Sequence, residues 1–145
     1  MIGHERWKDN WRVVGPTGAI RVDVPRSAAK RSASRRVVGD LPAGTPVVLV
    51  ASAPGASDRC RTFAAEAGID LQREYLAFPS AEAPAYLVED APAPVRLFVS
   101  SILVAPTRTA FSILIDAGLR LLRSLGPLWL IRALAPGRVA VGRRA

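Results

Sequence analysis

The sequence predicts a small α/β fold, a short mixed sheet flanked by helices. Three observations between Leu41 and Asp90 carry that prediction. Val47–Val50 is an unbroken aliphatic run, the pattern of a strand covered on both faces. Cys60, Phe63, Ala64 and Ala67 recur at i, i+3, i+4 and i+7 and so share one helical face. Ile69–Phe78 then reads as a second strand, closed by Pro79.

The elements can be justified in chain order. Trp11–Val24 reads as a hairpin: apolar Trp11, Val13 and Val14, a Gly15-Pro16-Thr17-Gly18 turn, then Ile20, Val22 and Val24 alternating with Arg21 and Asp23. Pro25–Arg36 is small, polar and basic, and reads as a flexible linker without the apolar face of a core helix. Leu41–Pro46 is a turn rich in Pro and Gly. Ser57 is a good N-cap for the helix that follows, with Asp58 in the first turn facing the positive helix end. Gly68 is a natural stop, because a glycine there takes the left-handed conformation freely. Ser57–Ala67 has the length of a crossover helix. Ala85–Val88 follows a short loop and reads as a third strand that returns antiparallel.

From Pro94 the character changes. Val95–Val104 is apolar with Arg96 inside, and Phe111–Leu125 has helical period with Asp116, Arg120 and Arg123 on one stripe. Gly126-Pro127 and Pro136-Gly137 are breaks. Leu128–Leu134 reads as a short amphipathic helix with Trp129 and Arg132, and Arg138–Val141 as an edge strand. One domain therefore spans 1–145, in three parts: hairpin and basic linker (1–40), a β-α-β-β unit (41–93) and a helical basic region (94–145).

Composition narrows the function classes. Half of the residues are hydrophobic and the mean hydropathy is +0.20, which argues against a disordered chain. The formal net charge is +8, unevenly spread: +5 over residues 1–40, −4 over 41–95 and +7 over 96–145. Such a balance favours anionic partners, either nucleic acid or a membrane surface. Eighteen of the twenty basic residues are arginine, alongside abundant Ala, Pro and Val, which a GC-rich coding bias also produces. One cysteine, Cys60, cannot form an internal disulfide, and with His4 as the one histidine no zinc cluster can be assembled. The start, MIGHERWKDNW, is charged and lacks the apolar stretch of a secretory signal. No uncharged, proline-free run approaches the roughly 20 apolar residues of a membrane span. The expected location is cytoplasmic, with peripheral attachment to a membrane as a further expectation.

The stretch RTFAAEAGIDLQREYLAFPS resembles the late part of a class I S-adenosylmethionine-dependent methyltransferase. Leu41-Pro42-Ala43-Gly44-Thr45-Pro46-Val47-Val48 is similar to the turn before that family's fifth strand, and Ala67-Gly68-Ile69 to the step into its sixth. Tyr75–Ser80 and Ala85–Val88 would be ends of its antiparallel strands. The resemblance covers about a third of the chain. It implies a Rossmann-like remnant, and a place in the modification of small molecules or cell-surface glycans. The family's glycine-rich cofactor loop has no counterpart: Gly15–Gly18 lies in a hairpin pattern with no strong helix after it. The resemblance thus implies an accessory or degenerate domain, which would meet S-adenosylmethionine only with a partner supplying that loop. Such a partner is another protein or a second copy of the chain.

Several residues are candidates for other roles. Ser52–Asp58 is a small-residue loop before a helix but lacks the Gly-Lys-Ser/Thr ending of a phosphate loop. Cys60 lies between Arg59 and Arg61, which would favour a thiolate, yet its place on the apolar face reads as a buried structural cysteine. Glu89 and Asp90 read as a solvated strand end, and Arg73 and Glu74 as exposed pleat positions. Arg120, Arg123, Arg132, Arg138, Arg143 and Arg144 form a basic C-terminal system beside leucines and Trp129. Of these, Arg120, Arg123, Arg132, Arg143 and Arg144 are the candidate contacts to an anionic surface. Three functions follow: the methyltransferase-like domain, a peripheral membrane-surface or scaffold protein, and a non-specific nucleic-acid binder. No catalytic residue is identifiable, and no metal is expected.

Overall fold

The computed structural model describes residues 7–101, 113–114, 117–118, 120–121 and 128–145. A 3-10 turn at Asn10–Val13 precedes β1 (Ile20–Asp23). There follow α1 (Ala28–Gly39), β2 (Pro46–Ser52), α2 (Ala56–Ala67), β3 (Ile69–Phe78), β4 (Tyr86–Glu89), α3 (Pro92–Ser101), α4 (Leu128–Leu134) and β5 (Gly137–Arg144). The described residues between Ile113 and Leu121 are helical as well. The five strands form one mixed sheet in the order β1-β2-β5-β3-β4.

The expected β-α-β-β unit is present, with one addition. β2 and β3 run the same way, joined by α2, but they are not neighbours. β5 lies between them, antiparallel to both. The sequence reading of Arg138–Val141 as an edge strand is therefore corrected to a central one. Its apolar residues explain the place: Val139, Ala140 and Val141 are all buried. Close packing completes it, since a Cβ at Gly142 would stand 2.4 Å from the carbonyl oxygen of Asp70. Only a glycine lets β5 approach β3 there.

The N-terminal reading also changes. Only the second arm of the expected hairpin is a strand, and β1 pairs with β2 in parallel, Ile20 opposite Val47 and Val22 opposite Leu49. The first arm curls into the 3-10 turn because Trp11 is needed beneath the sheet, where it is buried, while Val13 faces solvent at 84 % exposure. The basic segment expected to be a flexible linker is α1, the crossover between β1 and β2. Its composition of Ala, Lys, Arg and Ser suits a helix, and it buries only Val38. That single buried side chain is why no apolar stripe is visible in the sequence.

α2 ends as expected at Gly68, which has φ 64°. Its start comes two residues earlier than the expected Ser57 cap: Gly55 takes the cap position, Ala56 opens the helix and Asp58 stays in the first turn. Pairing of β3 with β4 is antiparallel, as expected.

Helices α1 to α4 pack on one face of the sheet. The largest apolar cluster joins Val47, Leu49 and Ala51 of β2 to Val38 of α1 and to Cys60, Phe63, Ala64 and Ala67 of α2. Further along the same face, Leu76 and Val88 meet Val95, Phe98 and Val99 of α3, with Leu128 and Ile131 of α4 beside them. The opposite face carries Val48, Val50, Tyr75, Val139 and Val141, covered by Trp11, Val14 and Ala81. β2 is thus a covered interior strand, with helices on one side and the N-terminal segment on the other.

Candidate functional site

The two apolar clusters on the helical face are separated by a charged seam. Arg138 on β5 stands opposite Ala51 of β2 and Leu76 of β3, so its side chain projects between α2 and α4. It is 5 % exposed, and among the described residues it alone is a charged residue buried as a whole. Its guanidinium donates through Nη1 to Oδ2 of Asp90 and lies 3.6 Å from Oε2 of Glu74. Arg132, from α4, donates Nε to the other Asp90 oxygen at 2.5 Å. Arg61 of α2 grips Glu74 with two bonds, 2.8 Å and 3.2 Å, the fork-to-carboxylate geometry that arginine favours.

Asp90 sits at the centre of this seam. Its backbone N–H donates to the Glu74 carbonyl at 2.8 Å, which fixes the chain just after β4. Its carboxylate is 5 % exposed. Burial alone would raise its pKa, but the hydrogen bonds and charges of Arg138 and Arg132 outweigh burial and hold it below the usual carboxylate value. The expectation of a solvated strand end is corrected for Asp90, and that of an exposed pleat for Glu74. A register shift between Leu71 and Arg73 turns Glu74 to the helical face and leaves Arg73 exposed. The correction at Asp90 rests on partners far away in the chain: Arg132 and Arg138 lie 42 and 48 residues beyond it. No local signal in the sequence announces such a pair.

Above the seam a cleft of about 360 Å³ opens. Its walls are the N-terminal turn of α2, Arg61, Arg132 and Trp129, with Asp90 and Arg138 beneath. Trp129 is 70 % exposed on the rim. The cleft combines arginines, helical N–H groups, an exposed indole and the carboxylate of Asp58, so it can hold a flat group. Asp90 is held ionised between two guanidiniums, and among the described residues neither a histidine nor an accessible thiol lines the cleft. Cys60 is buried, and burial, followed by Glu74, pushes its thiol up to about 12. That agrees with the structural reading of this cysteine. Among the described residues no group of three metal-binding side chains is assembled.

The candidate surface arginines are dispersed. Arg132 is tied to Asp90 at one end of β5. At the opposite end Arg143 donates to the Gly44 carbonyl at 3.3 Å and Arg144 to the Gly68 carbonyl at 3.1 Å. Arg120 lies in a described helical residue, while Arg123 and Asp116 fall outside the described residues. So does His4. Gly15–Gly18 precedes β1 rather than following a strand, which removes it as a phosphate-cradling loop. Compared with protein-family models, curated proteins and solved structures, the chain matches none of them.

Proposed function

We propose that this chain is a methyltransferase-like α/β domain that acts with a partner rather than binding S-adenosylmethionine alone. One observation carries the reading: β5 lies antiparallel between β2 and β3, two strands that run the same way and are joined by a helix. The resemblance calls for a parallel sheet passing into antiparallel strands, and the parallel pair of β1 and β2 leading into β5, β3 and β4 is consistent with it. β1 is an edge strand. Its outer side is where a partner could extend the sheet by strand addition. Isothermal titration with S-adenosylmethionine tests the reading. The isolated chain takes up no cofactor in the micromolar range, whereas a mixture with a protein that supplies a glycine-rich cofactor loop does. Micromolar binding by the isolated chain overturns the dependence on a partner, and no binding by the mixture overturns the split-enzyme reading.

A second reading, peripheral attachment to an anionic membrane surface, is favoured by the C-terminal half. Leu97, Ile113, Leu114, Leu121, Trp129 and Leu134 are between 60 % and 72 % exposed. They are interspersed with Arg96, Arg120 and Arg132. Apolar and basic side chains together on short helices suit the boundary between headgroups and acyl chains. No helix among the described residues is long and apolar enough to cross a membrane. Flotation with anionic liposomes decides between the readings. Salt-sensitive binding that weakens in Arg120→Glu with Arg123→Glu supports attachment; its absence removes this reading.

A further inference from the structure

A second cleft, of about 640 Å³, opens outside the carboxyl ends of the parallel strands β1 and β2. Ligands of open α/β sheets bind on this side, where strands end and helices begin. Val24 and Pro25 lead out of β1 here, and Ser52 ends β2.

Among the described residues that line it, cations outnumber carboxylates. Lys8, Arg21, Arg26 and Arg59 line the cleft against two carboxylates, Asp23 and Glu82. Asp23 is occupied by Arg21, at 2.8 Å. The remaining arginines are satisfied differently from those of the charged seam. Arg26 donates to the Ala53 carbonyl, and Arg59 to the carbonyls of Ser52 and Pro54. Arg31, from α1, donates to the carbonyls of Pro25 and Arg26. Carbonyl groups orient a guanidinium but do not neutralise it.

Two consequences are visible at Arg59. Its basicity is lowered, by burial first and then by the like charges of Arg26 and Arg31. Its Nε is buried and has no hydrogen-bond partner, which is also true of Arg144 at the other end of the sheet. An anion in the cleft would relieve the repulsion and take up guanidinium donors that carbonyls leave unused. Forked guanidiniums suit phosphate oxygens, which they can bind in pairs. The volume lies within the roughly 300–1,000 Å³ of small-molecule sites, larger than a lone ion needs.

We propose that the cleft at the carboxyl ends of β1 and β2 binds a phosphoryl-bearing small molecule, with Arg26 and Arg59 as its ligating cations. The proposal goes beyond the methyltransferase-like reading and does not depend on it. The probe is inorganic pyrophosphate, titrated calorimetrically and followed by the Nε–H resonance of Arg59 in a nitrogen-15 correlation spectrum. The expected result is saturable binding below millimolar, with the Arg59 resonance shifting in step. Arg26→Gln weakens it by about tenfold or more, and Arg59→Gln does the same. Arg26 is exposed, so its variant remains folded even if that of Arg59 does not. Arg143→Gln, an equal charge change at the far end of the sheet, leaves binding unaltered. No binding at millimolar pyrophosphate overturns the proposal. So does an equal loss in Arg143→Gln, which would mean diffuse attraction to a basic chain. Binding to phosphatidylserine vesicles that is lost in Arg26→Gln, with none to pyrophosphate, replaces the soluble ligand with a lipid headgroup and overturns it too.

Discussion

The two clefts hold their arginines in opposite ways. Beneath the smaller cleft, Arg132 and Arg138 share Asp90, and Arg61 closes on Glu74. Every one of those cations meets a carboxylate. Around the larger cleft, Arg26 and Arg59 rest on backbone carbonyls and retain their charge. The difference separates two uses of one residue type. A neutralised, buried arginine ties together distant parts of the chain, and its removal is felt as instability. An arginine oriented by carbonyls contributes less to the fold and more to the local field, and its removal is felt by an anion.

That contrast can be broken by substitution. The largest effect is expected from Asp90→Ala, which leaves Arg138 buried without its main partner. A loss of about 3–5 kcal/mol in urea-induced unfolding is expected, and a loss below about 1 kcal/mol would place the seam among ordinary surface pairs. Exchanging both partners, Asp90→Leu with Arg138→Met, should recover most of that loss, because the desolvation of two charges disappears together with their attraction. A double-mutant cycle measures the recovery.

Acid provides the next test. Asp90 has a folded-state pKa below its unfolded value. Its contribution is present above the unfolded value and is lost as pH falls through the folded one. Stability of the parent chain should therefore decline below about pH 4, with Asp90→Asn showing a shallower decline from a lower starting point. Identical acid profiles would mean that other carboxylates carry the acid sensitivity. The smallest effect on stability is expected at the larger cleft. Arg26→Gln should change unfolding free energy by no more than about 0.5 kcal/mol, while it weakens pyrophosphate binding about tenfold or more. A large destabilisation would sharpen the comparison differently, by making Arg26 part of the scaffold.

The sequence reveals elements whose signals are local. β2 shows itself as an aliphatic run, α2 as a stripe ending at a glycine, and β3 and β4 as runs bounded by turns. α1 is hidden, because Val38 is its one buried side chain and one buried position makes no stripe. The first arm of the supposed hairpin looks like a strand since Trp11 and Val14 are apolar, but burial of the indole under the sheet outweighs the alternation. β5 looks peripheral because arginines flank it, whereas Arg138 is turned inward by a carboxylate that only the fold brings near. Both clefts are illegible for the same reason. They are built from side chains that meet across the sheet, and spacing along the chain does not encode those meetings.

The position of β5 carries a consequence for how the protein is made. Residues 137–144 come after all the other strands in the chain, yet they fill the gap between β2 and β3. As the polypeptide emerges from the ribosome, β2 and β3 each present an open edge until those residues arrive. Neither can close on the other without losing the register that β5 requires. Contacts this distant in sequence form slowly, and waiting edges invite pairing with the wrong chain. Synthesis of the C-terminal strand is thus the event that commits the nascent chain to its sheet.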